Sequence, residues 1–302
     1  MALNRALFTK QLNLGLNTVF GMEYDRYPEQ WRSLYSTEQS MKAFEEDVQM
    51  IGFGAAPTKA EGAMINYDSG REGFVSRYVH ETVALAFAIT EEAEEDGLYG
   101  SLGAKYARAL ARSMQHTKEI KGANIFNNAT TTSTGGDGVA LMNGSHPLGG
   151  GGTASNILAT PADLSETSLE TLLVQISTAV DDRSIPIALS GRKLAVPPQL
   201  VFIAERILKS NLRPGTADND INAMRNMGMI PEGVVVNQRF TDPDQYFILT
   251  DCPDGMKHFV RAPIKKAVEG DFETGNLRYK VRERYSFGFT DWRGVYGSEG
   301  VA

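Results

Sequence analysis

The sequence is poor in the residues that build covalent or metal-held frameworks. Its 302 residues include one cysteine, Cys252, and four histidines scattered at positions 80, 116, 146 and 258. A lone thiol excludes an intrachain disulfide framework and any cysteine-rich metal site, and none of the histidines has metal-ligand spacing. Long hydrophobic runs are missing too. No apolar stretch approaches the roughly 18 residues of a membrane span. The opening MALNRALFTKQLNLGL is interrupted by Asn4, Arg5, Lys10, Gln11 and Asn13, where a signal peptide keeps a continuous apolar core. A reducing cytoplasmic setting is expected. There is no basic excess either: 30 Lys and Arg against 37 Asp and Glu give a net charge of −7, which speaks against a globally basic nucleic-acid binder.

What is present is an ordinary globular composition, 42% hydrophobic and 22% charged, with 30 glycines. The length allows two domains, or one with large excursions. Charge is unevenly placed. Residues 23–96 carry 16 acids against 6 bases, and residues 256–302 carry 9 bases against 6 acids. An acidic N-terminal surface could therefore meet a basic C-terminal one, within or between subunits.

Local patterns divide the chain. Residues 3–20 predict a short helix leading into an arm. Tyr24 to Tyr35, aromatic and irregular, must pack against another part of the chain. The TEQSMKAFEED stretch at 37–47 predicts a helix with Thr37 as N-cap. Residues 48–73 are glycine-rich and aperiodic, and Phe74 to Thr90 alternates with Val75, Val79, Val83, Leu85, Phe87 and Ile89 on one parity. A projecting β-flap with a glycine-rich tip follows. Thr90 and the acids at 91–96 predict a capped first turn. Leu98, Leu102, Tyr106, Leu110 and Met114 then mark a long helix to about Lys121, with Gly122 as its C-cap. Thr130 to Asn156 forms a second glycine-rich excursion. Beyond it lie a helix with a capping box at Thr167 and Glu170, a helix after Pro197-Pro198, and buried strands at 194–196, 234–236 and 246–249. In the last segment Tyr279, Val281, Tyr285, Phe287 and Phe289 oppose Arg278, Lys280, Arg282 and Arg284.

Catalytic templates fail at particular residues. The glycine runs lack the lysine of a phosphate loop, and Gly52-Phe53-Gly54 meets Pro57 where a dinucleotide fingerprint needs its third glycine. His80-Glu81 is followed by Ala84 where a zinc protease has its second histidine. Asp137, Ser145 and His146 share a loop, but Asn143 stands where a nucleophile elbow needs glycine, so a loop-stabilising role is expected. Cys252 reads as a small packed residue at a turn.

Several ordered segments then point one way. Ala88-Ile89-Thr90-Glu91-Glu92 leads through Glu95-Asp96-Gly97-Leu98-Tyr99 into the long helix. Gly136-Asp137-Gly138-Val139-Ala140-Leu141, Ser145-His146-Pro147, Leu194-Ala195-Val196-Pro197-Pro198 and Tyr246-Phe247-Ile248-Leu249 follow. The chain closes on Arg284-Tyr285-Ser286-Phe287-Gly288-Phe289-Thr290-Asp291 and Arg293-Gly294-Val295-Tyr296-Gly297. In this order they resemble the major capsid proteins of tailed bacteriophages, in particular the Mu-like major head subunit branch of the Hong-Kong-97-type fold.

The resemblance implies an α+β capsid fold with an N-terminal arm (1–46) and an extended β-flap loop (47–80). It also implies a peripheral domain around a spine helix (81–128 and 242–302) and an axial domain (129–241). It implies self-assembly as pentamers and hexamers into an icosahedral head around double-stranded DNA, which is contacted non-specifically. Portal and scaffolding proteins, and decoration proteins where present, would be further partners. No cofactor, metal, membrane or catalysis is implied, and the expected location is the virion, after assembly in the bacterial host cytoplasm. The short stretch before the spine helix suggests a separate scaffolding protein, or none, rather than a removed propeptide. Lattice contacts are expected to be non-covalent. Candidate intersubunit contacts are Lys59, Glu61, Arg71, Glu72 and Arg77 on the flap, and Arg282 and Arg284 on the basic strand. Two alternatives remain: an encapsulin-like cellular compartment shell, and an α/β enzyme using the glycine-rich loops as lids.

Overall fold

The computed structural model describes residues 5–90, 92, 99–212, 221–271 and 275–301. From the N-terminus run helix α1 (Arg5–Tyr24), strands β1 (Ser36–Gln39), β2 (Phe44–Ile51), β3 (Arg71–Val79) and β4 (Glu81–Ile89), and the long helix α2 (Tyr99–Asn127). The short strands β5 (His146–Pro147) and β6 (Thr153–Ala154) precede α3 (Glu166–Ser177), β7 (Gly191–Val196), α4 (Val201–Lys209) and α5 (Ala223–Met227). The chain ends with β8 (Val234–Val236), β9 (Tyr246–Thr250), β10 (Met256–Gly270), β11 (Leu277–Phe289) and β12 (Val295–Ser298).

Period-two alternation in the C-terminal part builds the first sheet, in the order β1-β10-β11-β4. Its inner row, Tyr279 and Val281, packs on Leu16 and Phe20 of α1 and on Ala107, Leu110, Ala111 and Met114 of α2. That stripe recurs at i, i+3, i+4 and i+7, one face of a helix. Tyr106, expected on this face, lies half exposed at its margin. The second sheet has the order β12-β9-β7-β8. Leu194, Ala195, Val196, Phe247 and Ile248 are fully buried there, which explains why these strands read as continuous apolar runs rather than alternating ones. β9 and β12 come from the C-terminal segment, so this sheet is assembled across the middle of the chain.

Helix α2 enters both cores. Its first half faces the first sheet, whereas Ala123 and Phe126 belong to the second core, with Phe126 packed edge-on to Phe247 at 4.9 Å. The arm segment is tied to the second half of α2. Glu119 accepts hydrogen bonds from the backbone N–H groups of Gln30 (2.7 Å) and Trp31 (3.1 Å), and Tyr35 donates to the Gly122 carbonyl at 2.6 Å. His258 lies between Trp31 and Phe287, and burial pushes its pKa down to about 3.

Four expectations are corrected. The 37–47 helix is replaced by β1 and β2. Ser40 accepts from Lys42 N–H and donates to Glu45, making a local turn between strands that pair with β10 and β3. Gly122 does not end α2, which continues to Asn127; a Cβ at Gly122 would lie 2.9 Å from Trp31 Cβ, so the glycine admits the arm. The α3 capping box uses Ser165 and Ser168, not Thr167 and Glu170. The strand expected over 74–90 breaks at His80, and its buried parity changes there: Ser76 and Tyr78 point inward before the break, Ile89 after it. The expected first turn at 91–96 falls, apart from Glu92, outside the described residues.

Candidate assembly interface

Strands β2 and β3 pair as an antiparallel two-stranded ribbon, called the flap below, with residues 52–70 as its tip. Its base is anchored on several sides. Lys257, almost buried, pairs with Asp47, with Asp254 at 3.0 Å and with Glu38 at 3.8 Å. Thr290 donates to Asp47 at 2.7 Å and shares a hydrogen bond with Tyr78 at 2.6 Å. The Lys257 ammonium and Thr290 hydroxyl hold the Asp47 carboxyl below its usual range, against the opposing effect of burial. This is where the acidic N-terminal and basic C-terminal segments meet, inside one subunit. His80, at the pivot between β3 and β4, is hydrogen-bonded to Ser286 (3.0 Å) and Ser40 (2.9 Å). Burial, helped by the nearby Arg284 charge, lowers its pKa and favours the neutral ring.

The glycine-rich loop after α2 forms the seat of this base. Gln49 and the Gly149 N–H both donate to Asp182, each at 3.1 Å, and Arg71 donates to the Gly149 carbonyl. The buried Ile51 lies against Gly149, where a Cβ would approach its Cδ1 to 2.2 Å.

The tip is different. Phe53, Met64, Ile65 and Tyr67 are exposed, Tyr67 at 93%. Its main tether is Asp68, which accepts from Gly54 N–H at 2.7 Å and pairs with Arg183 at 2.9 Å. Of the expected contact residues, Lys59, Glu61 and Glu72 are exposed along the flap, Arg71 is engaged at Gly149, and Arg77 pairs with Glu46 (3.8 Å) and lies over Phe44. Arg282 and Arg284 stand apart on the first sheet, so the seven residues do not form one site. Arg282 is exposed in a row with Lys280, and Arg284 is half-buried with its Nε unpartnered. Sequence reasoning missed the outward-facing Val75 and Val79, which share parity with core residues but lie before the His80 break.

The Asp137–His146 pair does form, at 2.7 Å, but the His146 ring is fully buried and stacked on Trp292 with centroids 4.3 Å apart, whereas Ser145 is exposed. Serine and histidine thus face different environments, and the pair braces the loop. Burial pushes the Cys252 thiol up to about 12, which keeps it protonated. Among the described residues no helix is long and apolar enough to cross a membrane.

Residues 74–298 match the family described as phage capsid protein, and the chain belongs to that family. Its α+β architecture is the Hong-Kong-97-type capsid fold. The fold is similar to the capsid of an empty GTA particle, with a TM-score of 0.55 and 11% identity over 91% of this chain and 90% of that one. It is also similar to the capsid of Myoviridae phage XM1, with a TM-score of 0.52 and 11% identity over 89% of each chain. A virus-like particle from Pyrococcus furiosus gives a TM-score of 0.50 at 10% identity, covering 94% and 98% of the two chains. No curated protein matches the chain by sequence. The family makes this chain a major capsid protein, a structural subunit of an icosahedral phage head that resides in the virion.

Proposed function

We propose that this subunit belongs to the Mu-like branch and assembles as hexamers and pentamers through non-covalent contacts. Residues 1–46 act as the arm, 47–80 as the extended loop, 81–128 and 242–302 as the peripheral domain and 129–241 as the axial domain, with β9 and β12 lent to the axial sheet. The observation that supports this is the flap: a firmly seated ribbon carrying a tip whose apolar side chains have no core of their own chain to enter. Such a segment is ordered at the expense of chain entropy unless a neighbour covers it. Lys59, Glu61 and Glu72 on the flap, with Arg71 and Arg77 near its base and Arg282 and Arg284 on the first sheet, are proposed to face neighbours.

In this reading the subunit is purely structural. It is assembled in the bacterial host cytoplasm with portal and scaffolding proteins, and its shell contacts packaged double-stranded DNA without sequence preference. Electron microscopy of the purified protein tests it: closed particles are expected, and a monodisperse monomer or dimer under native conditions overturns it. Deletion of residues 55–72 should leave a folded subunit, checked by circular dichroism, and abolish particles. Normal shells from that variant would remove the flap from the assembly mechanism.

A further inference from the structure

Among the described residues, the outer edge of the first sheet is open. β4 is an edge strand of nine residues, ETVALAFAI, without proline or a basic residue. Its outward backbone groups make no hydrogen bond among the described residues. Edge strands are normally blunted by charge, proline or a bulge, because unpaired N–H and C=O groups template further pairing. Here the only charge is Glu81, at one end.

The side chains flanking this edge form two distinct rows. On the face away from the helices, Ala84, Ala86 and Ala88 lie beside Arg282, Lys280 and Arg278 of β11. A groove of about 470 Å³ crosses this corner, lined by Ala84, Ala86, Lys265, Lys280 and Arg282 among others. Lys265, Lys280 and Arg282 make no ion pair among the described residues. On the helix face, Leu85 is 46% exposed, and Phe87 packs against the half-exposed Tyr106 with centroids 5.7 Å apart.

The flap tip carries the matching pattern. Met64, Ile65, Asn66 and Tyr67 lie outside any helix or strand and make no backbone hydrogen bond among the described residues. Ile65 and Tyr67 share one parity; Met64, Asn66 and Asp68 share the other. We propose that residues 63–70 of one copy add as a new edge strand to β4 of a second copy, a step that rests on the shell reading above. Ile65 and Tyr67 then cover Leu85 and Tyr106, and Asp68 exchanges its own Arg183 for the basic row. A strand added beyond β4 lies about 10 Å from β11. Arg282 and Lys280 reach across that distance because the residues between them and the new strand are alanines. Backbone pairing supplies the attachment and the two alternating rows supply the register.

The test uses a C252S background carrying either I65C or L85C. Particles assembled from an equal mixture of the two are oxidised in air and digested, and cross-linked peptides are identified by mass spectrometry. A disulfide between position 65 of one copy and position 85 of another is expected in mixed particles and not in dissociated subunits. Mixed particles without this link overturn the proposal. Should the cysteine variants fail to assemble, amide exchange on the unmodified protein decides: residues 81–89 and 63–70 should both exchange at least about tenfold more slowly in particles than in free subunits. Unchanged exchange at β4 overturns it. Absence of particles from the unmodified protein would instead remove the shell reading itself, and the strand addition with it.

Discussion

The two glycine-rich segments, 52–73 and 135–152, are alike in composition, but the flap tip and the loop after α2 use their glycines differently. At the flap tip, a Cβ added to Gly52 or Gly62 would meet nothing within 4 Å. In the second segment, a Cβ on Gly136 would lie 2.6 Å from the Val75 carbonyl carbon, and one on Gly150 would lie 2.1 Å from the Asp182 oxygen. Gly52 and Gly62 lie in open space, with Gly73 at the ribbon's base as the close contact of that segment. In the second segment Gly135, Gly136, Gly149 and Gly150 sit where the loop touches other parts of the chain, and Gly138, Gly151 and Gly152 make its open turns at positive φ. The contacts of the second segment run largely to the base of the first, so the loop that resembles a flexible excursion is the socket of the flap. Glycine content alone does not separate mobility from close approach.

Substitutions can break this contrast, and the largest effect is expected in the socket. Gly150→Ala must displace the Asp182 backbone and should cost about 3 kcal/mol in urea unfolding of the subunit. A loss below about 0.5 kcal/mol would mean that the socket is not closely packed. Asp182→Ala should cost about 2 kcal/mol, because it strips the acceptor of Gly149 and Gln49 and removes an ion-pair partner of the buried Arg293.

The tip should respond to pH rather than to packing. The Gly54 and Ser69 N–H groups and then Arg183 hold the Asp68 carboxyl below its ordinary 3.8. A carboxylate with a depressed folded pKa contributes at neutral pH, and that contribution is lost as pH falls through the folded value. Acidification below pH 4 should therefore lower the protection of the Gly54 and Ser69 amides, measured as exchange relative to the intrinsic rate at the same pH, and Asp68→Asn should abolish that pH dependence while leaving the unfolding midpoint unchanged. The smallest effect belongs to Gly52→Ala, expected within about 0.5 kcal/mol of the parent.

Much of the fold was legible where one element decides its own pattern. The α2 stripe, the helix after Pro197-Pro198 and the apolar runs at 194–196, 234–236 and 246–249 all depend on local periodicity. The failures share a physical reason. Residues 37–47 are rich in good helix formers, yet β1 and β2 gain partners in β10 and β3 that no local signal reveals. Val75 and Val79 read as core because parity was extended through His80, whose two serine partners lie 40 and 206 residues away. Gly122 looked like a stop because its neighbour Trp31 is distant in sequence. Of the proposed assembly surface, the exposed charges of the flap and the basic face of β11 were readable as charged segments. The exposed edge of β4 was not, because an unpaired edge is visible only once every other strand has been placed.

The reach of α2 has a mechanical consequence. At about 1.5 Å per residue its 29 residues extend roughly 44 Å, with one end bedded under the first sheet and the other among the aromatic rings of the second core. A rod gripped at both ends works as a lever: turning it by 10° about one grip carries the far end roughly 8 Å. Any change in the angle between the two sheets is thus multiplied along the helix. The short link from Thr290 to Gly294, where β11 passes into β12, must twist to follow it.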